Sequence, residues 1–326
     1  MRHVIIPAYG GPEVLTMVDA PEPEPGPGEL LVKVRAAGIN RADCLQREGT
    51  YPMPPGLGNV PGLEIAGEVV GSGPGVESFR VGERVFGLVA EGGYAEHSLL
   101  DAGLAVPLPD GWTFAQGAAV IEVFCTANET VFELGGLDAG QALLVHAGAS
   151  GVGTAAVQMA KHAGATVFFT AGSRRKIDRV LGLGADHGIL YKSEDFVEEV
   201  FRITRGEGVD VVEDFIGADY LARNLSVLRP TGTLVLVGFM GGRVAPFDMG
   251  TMLRKRLSVR GFTLRAQSVE NKRGIVGRFR ARWLPLLEAG SIRPIIHEIV
   301  PFAEVRRAHE MMEADANFGK IILEMG

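Results

Sequence analysis

A glycine-rich turn at 148–153, with the sequence GASGVG, constrains the fold of this chain more than any other feature. It follows an apolar run at 142–146, typical of a buried strand, and leads into a helical pattern that ends at 163. Glycine permits a tight turn there and lets anionic oxygens approach the backbone amides at the start of the helix. The strand–turn–helix order favours a dinucleotide-binding turn over the alternative, a turn whose glycines only let helix and strand pack closely.

The elements around this turn indicate the fold class. From residue 138 onward, apolar strand patterns alternate with helix patterns, which predicts an α/β fold with a doubly wound parallel sheet. The predicted strands are 142–146, 166–170, 188–191, 209–214, 233–238 and 258–262, and the predicted helices are 151–163, 174–183, 193–204 and 220–228. Residues 1–108 predict a β-rich domain, with strands at 3–7, 30–34, 63–70, 83–89, 94–99 and 104–108. The end of the chain predicts helices at 269–288 and 302–315 and strands at 295–299 and 320–324.

The segment after the second strand of the alternating region predicts the cofactor. It reads TAGSRRK at 170–176 and holds no acidic residue before Asp178. An NAD site usually places Asp or Glu there to bind the ribose 2′-hydroxyl, whereas Arg and Lys can neutralise a 2′-phosphate. Cations are also unfavourable at a helix N-terminus, which indicates that an anion binds beside them. We therefore expect NADPH; the alternative is a solvated helix start rich in Lys and Arg.

Composition argues against several other classes of protein. Of the 326 residues, 46% are hydrophobic and 22% are charged, so the chain can form a packed core despite its 45 glycines. The net charge of −7 does not favour a nucleic-acid partner. Two cysteines without a CxxC pair are typical of a reducing compartment, and no apolar run approaches the ~18 residues of a membrane helix. We therefore expect a cytoplasmic protein that does not insert into a membrane.

Several motifs, in the same order along the chain, resemble one family. They are AGINRAD at 37–43, QREGTYP at 46–52, GLEIAGEV at 62–69, TANETVF at 126–132, HAGASGVG at 146–153, MGG at 240–242 and NFGKI at 317–321. Together they resemble the zinc-independent quinone oxidoreductases of the medium-chain dehydrogenase/reductase superfamily, and are most similar to the p53-inducible, zeta-crystallin-like type. The resemblance covers essentially the whole chain.

The resemblance implies two domains. Residues 1–121 would form a GroES-like catalytic domain to which 266–326 return, and residues 122–265 would form a Rossmann domain that binds NADPH. The active site would lie in the cleft between them. The resemblance also implies a homodimer, formed through edge strands of the Rossmann domain, with a tetramer as the alternative.

Metal binding can be tested against the same resemblance. Zinc-dependent members of the superfamily carry Cys in place of Asn40 and His in place of Leu63 as zinc ligands, and their third ligand would fall near Glu122. One carboxylate without thiolate or imidazole partners is not a zinc site, so we expect no metal. Without a Lewis acid the acceptor must already be electron-poor, which favours a quinone or an enone over a simple ketone.

Asn40 and Tyr51 are the candidate catalytic residues. The family places the matching residues beside the substrate, and an amide and a phenol can donate hydrogen bonds without carrying a charge. The alternatives are a turn cap for Asn40 and a loop aromatic covering the core for Tyr51. By resemblance, the cofactor-binding residues are Thr126, Ser150, Gly151, Val152, Gly172, Ser173, Lys176, Tyr191, Phe239, Met240, Phe262, Thr263, Leu264 and Asn317. We interpret His146 as structural and Cys44 as a buried thiol.

Three functions remain open at this point. The first, which we favour, is an NADPH-dependent quinone reductase. The second is a reductase of α,β-unsaturated carbonyls or enoyl thioesters on the same scaffold. The third is a nucleotide-binding protein without significant turnover, recruited for structural, RNA-binding or regulatory work. The acidic composition and the complete cofactor motifs count against the third.

Overall fold

A computed structural model describes residues 1–54 and 56–326 of the chain. It divides into two compact units, which we call the first unit (Met1–Val123 with Leu264–Gly326) and the second unit (Phe124–Thr263). The second unit is therefore an insertion in the sequence of the first.

The elements follow in chain order. The chain begins with β1 (Arg2–Ile5), β2 (Thr16–Asp19), β3 (Glu29–Ile39), α1 (Arg41–Arg47), β4 (Glu64–Ser72), β5 (Arg84–Leu88), β6 (His97–Asp101), β7 (Ala105–Pro107) and α2 (Phe114–Gly117). It continues with α3 (Ile121–Ala127) and a π-helical segment (Asn128–Leu134), then β8 (Ala142–Val145), α4 (Gly151–His162), β9 (Thr166–Ala171), α5 (Arg174–Leu181), β10 (His187–Leu190), α6 (Phe196–Ile203), β11 (Val209–Asp214), α7 (Leu221–Val227), β12 (Leu228–Leu236), α8 (Met249–Lys255) and β13 (Ser258–Gly261). It ends with α9 (Val269–Arg282), α10 (Leu284–Glu288), β14 (Ile296–Pro301), α11 (Val305–Glu313) and β15 (Lys320–Glu324); short 3₁₀ turns are Pro12–Val14, Ala218–Tyr220 and Phe302–Glu304.

A parallel sheet forms the centre of the second unit. Its strand order is β10-β9-β8-β11-β12-β13, and each of these pairings is parallel. Strand β8 is buried at every position because helices cover both faces of such a sheet. Leu144, Phe168, Val212 and Leu234 pack in the core with Phe196 of α6. The predicted α/β fold with a doubly wound, Rossmann-like parallel sheet is therefore confirmed.

The order of this sheet reverses between β8 and β11. Strands β9 and β10 lie on one side of β8, whereas β11, β12 and β13 lie on the other. In open α/β sheets, ligands bind outside the carboxyl ends of the strands at such a reversal. We therefore expect a ligand to bind at the turns after β8 and β11.

The first unit contains the β-rich part of the chain. Its main sheet has the order β14-β15-β3-β4-β5-β7, with β6 paired to β3, and β1 pairs with β2 in a separate two-stranded sheet. Strand β15 runs antiparallel to β3, with Ile321 opposite Ile39. This pairing brings the end of the chain beside the start of α1.

Some predicted boundaries differ from the structure. The predicted helix at 269–288 is two helices, because Trp283 separates α9 from α10 and Pro285 lies in the first turn of α10. The predicted strand at 94–99 begins only at His97. Helices α1, α2, α3 and α8, each of seven residues or fewer, were not predicted, because a helix of two turns shows too few repeats of its apolar face.

Candidate functional site

The turn after β8 places Ser150 at the start of α4. The Ser150 hydroxyl accepts a hydrogen bond from Gly153 N (3.0 Å), and Gly151 and Val152 are the first two residues of the helix. Ala147 opens the turn with a φ of +53°, in the left-handed region that glycine occupies most readily. Because the first amides of a helix have no acceptor within the helix, this turn can hold a pyrophosphate.

His146 precedes this turn and is fully buried. Its Nε2 lies 2.7 Å from Asn224 Oδ1, and its Nδ1 lies 3.2 Å from Thr170 Oγ1. Burial lowers the pKa of His146 to about 4, against the opposing effect of the Asn224 hydrogen bond. The imidazole is therefore neutral and bonded at both nitrogens, which supports the structural interpretation of this residue.

The turn after β9 brings four of the predicted cofactor-binding residues together. Ser173 caps α5 by accepting a hydrogen bond from Lys176 N (3.3 Å). Tyr191, directly after β10, closes over Gly172, since a Cβ at Gly172 would lie 2.9 Å from Tyr191 Oη. The first turn of α5 has no acidic residue and carries exposed arginines at 174–175. These side chains can hold a phosphate on a ribose.

The other predicted residues that follow strands of the second unit lie at the same edge of the sheet. They are Phe239 and Met240 after β12 and Phe262 and Thr263 after β13. Phe239 and Met240 are 47% and 51% exposed, so their apolar side chains are available to a ligand. Thr126 lies in α3, and its carbonyl oxygen accepts a hydrogen bond from Thr130 Oγ1 (2.8 Å).

Asp214, which the sequence analysis did not single out, shapes the turn after β11. Its Oδ1 accepts a hydrogen bond from Ile216 N (2.7 Å) and its Oδ2 accepts one from Gly217 N (3.1 Å). Burial raises the pKa of Asp214 to about 6, while these backbone hydrogen bonds oppose the rise. The carboxyl group fixes the backbone beside Phe239, because Met240 N in turn donates to Phe215 O (3.1 Å).

In the first unit, Asn40 lies in a buried cluster with Glu64 and Lys320. Asn40 Oδ1 accepts a hydrogen bond from Lys320 Nζ (2.6 Å), and Asn40 Nδ2 donates to Glu64 Oε1 (3.1 Å). Lys320 Nζ also lies 2.7 Å from Glu64 Oε1 and donates to Ile39 O (2.7 Å). Glu64 Oε2 accepts from Glu122 N (3.0 Å). Both charges are thus buried, paired and further hydrogen-bonded, as a stable buried ion pair requires.

One proton of the Asn40 amide is only weakly engaged. The acceptor for this proton is Gly38 O, which lies 3.5 Å from Asn40 Nδ2, a long distance for a hydrogen bond. The Asn40 side chain does not cap α1; instead the Asp43 carboxylate accepts from Asn40 N (2.8 Å). Asn40 is thus held by side chains distant in sequence and retains one donor.

The remaining predicted residues of the first unit occupy different places. Tyr51 follows α1, its backbone N donates to Leu45 O (3.0 Å), and its ring centroid lies 5.4 Å from Arg265 Cζ. Leu264 is buried beside Arg265. Asn317 is buried in the turn before β15, where its Nδ2 donates to Gly319 O (2.7 Å).

The side chains around Asn40 do not fit a zinc ion. Leu63 offers no donor atom, and the oxygens of Asn40 and Glu64 already contact the Lys320 ammonium at 2.6 and 2.7 Å. Zinc prefers thiolate and imidazole ligands, and none is present in this cluster. Throughout residues 1–54 and 56–326, no three His, Cys, Asp or Glu side chains are grouped so that they could hold a metal ion.

A second buried network joins α1 to α11. Tyr94 Oη donates to Asp43 Oδ2 (3.0 Å) and lies 3.3 Å from His309 Nε2. His309 Nδ1 lies 3.5 Å from Cys44 Sγ and 3.3 Å from Arg47 Nη1. Burial lowers the pKa of His309 to about 3 and raises the pKa of Cys44 to about 12. Both groups are neutral near pH 7, which agrees with the interpretation of Cys44 as a buried thiol.

Glu64, Lys320 and Arg265 are important residues that the sequence analysis did not single out. Glu64 and Lys320 each adjoin the apolar run of a buried strand, and a charge in that position signals a buried ion pair. Arg265 gives no comparable signal, because it lies in an irregular segment between β13 and α9.

In the described part of the chain, no helix is both long enough and apolar enough to span a bilayer.

Comparisons with known protein families match both units. Residues 26–110 match the family described as "Alcohol dehydrogenase GroES-like domain", and residues 151–275 match the family described as "Zinc-binding dehydrogenase". The second description contrasts with the side chains around Asn40, which offer no zinc site.

Individual relatives match over nearly the full length of the chain. The quinone oxidoreductase of Rattus norvegicus is 32% identical over 99% of this chain and 97% of its own length. The synaptic vesicle membrane protein VAT-1 homolog of Homo sapiens is 32% identical over 100% of this chain and 87% of its own length.

Solved structures show the same similarity. The Escherichia coli quinone oxidoreductase complexed with NADPH has a TM-score of 0.92 and 32% identity, covering 99% of this chain and 100% of that one. The CurK enoyl reductase has a TM-score of 0.89 and 28% identity, covering 100% of this chain and 99% of that one. The similarity therefore extends to the whole chain.

Proposed function

Since the chain belongs to the medium-chain dehydrogenase/reductase superfamily, we propose that it reduces quinones with NADPH by hydride transfer and without a metal ion. The observation that carries this proposal is the Asn40–Glu64–Lys320 cluster. A lysine ammonium contacts the oxygens that a metal would need, at 2.6 and 2.7 Å. Without a Lewis acid to polarise a ketone, hydride transfer needs an electron-poor acceptor, and a quinone is one.

Tyr51 and Asn40 are proposed to bind the acceptor oxygen. The weakly engaged proton of Asn40 Nδ2 can donate to that oxygen without breaking the bond to Glu64. Lys320 holds the Asn40 carbonyl oxygen, so the amide nitrogen is the atom of this side chain that remains to donate to the acceptor. Uncharged donors suit a neutral substrate, since they stabilise developing negative charge without a full ionic partner to desolvate.

Bound NADPH would supply the hydride. We propose that Ser150, Gly151 and Val152 hold its pyrophosphate through the N-terminus of α4, and that Gly172, Ser173, Lys176 and Tyr191 surround its 2′-phosphate. In the second unit, the residues proposed to border the nicotinamide are Thr126, Phe239, Met240, Phe262 and Thr263. Leu264 and Asn317 of the first unit are proposed as further cofactor-binding residues. The capped helix, the basic first turn of α5 and the exposed Phe239 and Met240 support these assignments.

Steady-state kinetics with both nucleotides test the cofactor. We expect kcat/KM for NADPH to exceed that for NADH, because a basic turn without an acid favours the 2′-phosphate. Lys176→Glu should lower kcat/KM for NADPH at least tenfold, while NADH, which lacks that phosphate, serves as the internal control. Equal values for the two nucleotides in the wild-type protein would refute the assignment.

A reductase of enones or enoyl thioesters is the second candidate, and the similarity to the CurK enoyl reductase favours it. A turnover screen with NADPH separates the two. Faster turnover of 9,10-phenanthrenequinone than of an alkenal supports the quinone reductase, and the reverse order supports the alternative. NADPH binding without oxidation by any quinone, enone or aldehyde would instead indicate a nucleotide-binding protein without turnover.

We further propose that the protein is a cytoplasmic homodimer. Strand β13 ends the sheet of the second unit within the described residues, and two of its four residues are exposed, so a second copy could pair with this edge. Light scattering after size exclusion would give twice the mass of the 34.7 kDa chain. A monomer at micromolar concentration would contradict this proposal.

A further inference from the structure

Arg265 is buried in the first unit with part of its hydrogen-bonding capacity unused. Its side chain is only 6% exposed. Arg265 Nε donates to Ala90 O (3.1 Å) and Nη1 donates to Gln46 Oε1 (2.8 Å). Among the described residues, Nη2 has no hydrogen-bond partner although it is buried. A buried donor without a partner is unfavourable, so this atom is expected to serve a ligand or an ordered water.

Arg265 is one of the residues that line a small cavity. The walls of the cavity are Leu63, Leu88, Val89, Glu122, Leu264, Arg265 and Lys272. The cavity leaves about 20 Å³ for the centre of a water-sized atom, which is room for one ligand oxygen but not for a ring. Four of its seven wall residues are aliphatic; of the other three, Arg265 and Lys272 are cationic and Glu122 is acidic, so the wall offers charged donors to a carbonyl oxygen.

The cavity adjoins the residues proposed to bind the acceptor. Leu63 directly precedes Glu64, and the backbone N of Glu122 donates to Glu64 Oε2 (3.0 Å). The Tyr51 ring lies 5.4 Å from Arg265 Cζ. Burial lowers the pKa of Arg265, and the nearby Asp43 opposes that effect; a guanidinium nevertheless keeps its proton at neutral pH. Arg265 therefore offers a charged donor beside Tyr51.

We propose that this cavity is an acceptor subsite, in which Arg265 Nη2 donates a hydrogen bond to a carbonyl oxygen of the substrate. The ring of the substrate stays outside, against the aliphatic wall. Arg265 is then a specificity-determining residue that favours acceptors with a second carbonyl oxygen, such as quinones, over alkenals with one. This inference rests on the proposed function, because it assumes a quinone substrate and assigns one carbonyl oxygen of that quinone to the first unit.

Equilibrium binding without NADPH tests the subsite separately from turnover. The apo-protein is titrated with 1,4-naphthoquinone, and binding is followed by calorimetry. For Arg265→Gln we expect Kd to rise by about tenfold or more, since a charge-assisted hydrogen bond is lost. Arg280→Gln, on the exposed face of α9, is the matched control and should leave Kd unchanged. An unchanged Kd in a folded Arg265→Gln protein overturns the proposal.

A second variant avoids the bonds that Arg265 makes. Val89→Leu adds one methylene to the cavity wall and leaves Arg265 in place. If a substrate oxygen enters the cavity, this variant should raise the Kd for naphthoquinone severalfold. If the cavity holds only an ordered water, thermal stability should change while Kd does not, and the subsite is wrong.

Turnover then separates the two proposals. Quinone binding that depends on Arg265, without NADPH oxidation, would retain the subsite and refute the reductase. NADPH-dependent quinone turnover with the same KM in wild type and Arg265→Gln would retain the reductase and refute the subsite. With both correct, Arg265→Gln should raise KM more for quinones than for alkenals.

Discussion

Glu213 gives a prediction whose size can be worked out from the structure. The residue lies near the end of β11, is fully buried, and its Oε1 lies 2.5 Å from Thr130 Oγ1. Its Oε2 has no hydrogen-bond partner among the described residues. Burial raises the pKa of Glu213 from 4.5 to about 8, and the Thr130 hydrogen bond only partly opposes it. The folded protein should therefore carry this carboxyl group protonated at neutral pH.

This raised pKa makes stability depend on pH in one direction. Below pH 4.5 both the folded and unfolded states hold the proton, so the contribution of Glu213 is fully present. Between pH 4.5 and about 8 the unfolded state releases the proton and the folded state does not, so stability falls as pH rises. Each pH unit above 4.5 lowers the free energy of unfolding by about 1.4 kcal/mol. At pH 7 the loss amounts to roughly 3 kcal/mol.

Glu213→Gln removes this titration with little change in shape. The free energy of unfolding in urea is measured for variant and wild type at pH 5, 6, 7 and 8. Circular dichroism is the signal, because Trp112 and Trp283 both lie in the first unit and fluorescence would miss the second. Hydrogen exchange of the β11 amides measures the local stability of the strand that carries Glu213.

The stability of the variant relative to wild type should rise by about 1.4 kcal/mol per pH unit over this range. The titration of His146, whose pKa burial lowers to about 4, occurs in both proteins and cancels. Glu198→Gln, an exposed acid on α6, is the control and should show a small, flat difference. A flat difference for Glu213→Gln would mean that the folded state holds an ionised carboxylate, and the raised pKa of Glu213 would be wrong.

Three other predictions follow from the first unit. Tyr51→Phe should lower kcat for quinones while the Kd for NADPH stays within about twofold. The control Tyr9→Phe, at a 72% exposed tyrosine, should match wild type in both assays. Wild-type turnover in Tyr51→Phe would remove Tyr51 from the site. Lys320→Met leaves Glu64 buried without its cation and should lower the free energy of unfolding by about 3–5 kcal/mol. Adding Glu64→Gln to this variant should restore part of the lost stability. A loss below about 1 kcal/mol in Lys320→Met alone would contradict the buried ion pair. Cys44, whose pKa burial raises to about 12, should not react with a thiol reagent at pH 8 until urea unfolds the protein, and fast reaction of the folded protein would show that the thiol is accessible.

The sequence predicted the second unit well because its signals are local. The predicted strand at 209–214 is β11, and the predicted helix at 151–163 begins at Gly151 as α4 does. Continuous apolar strands, serine caps and glycine turns each act within about ten residues. The same locality explains the failures, since α1 and α2 are too short to show a period. Helix α2 is stabilised by the sheet on which it packs, and α1 by its packing against α11.

The residues of the candidate site differ in the same way, since only some of them could be predicted from local sequence signals. The basic turn after β9 could be read from the sequence, because Ser173 and Lys176 belong to one helical turn. Local signals in the sequence thus predict the order of the nucleotide-binding elements and the charge of the phosphate turn. Tyr51 and Asn40 were found only through resemblance to a family.

The surroundings of these residues depend on the tertiary fold. Lys320 reaches Asn40 across 280 residues because β15 pairs with β3 in one register, and Arg265 reaches Gln46 across 219 residues. Burial in that structure then sets the chemistry, since a charge removed from water must find a partner or lose its proton. Sequence spacing records neither the partner nor the burial, which is why the ion pair at Asn40 and the donor at Arg265 appeared only in the folded chain.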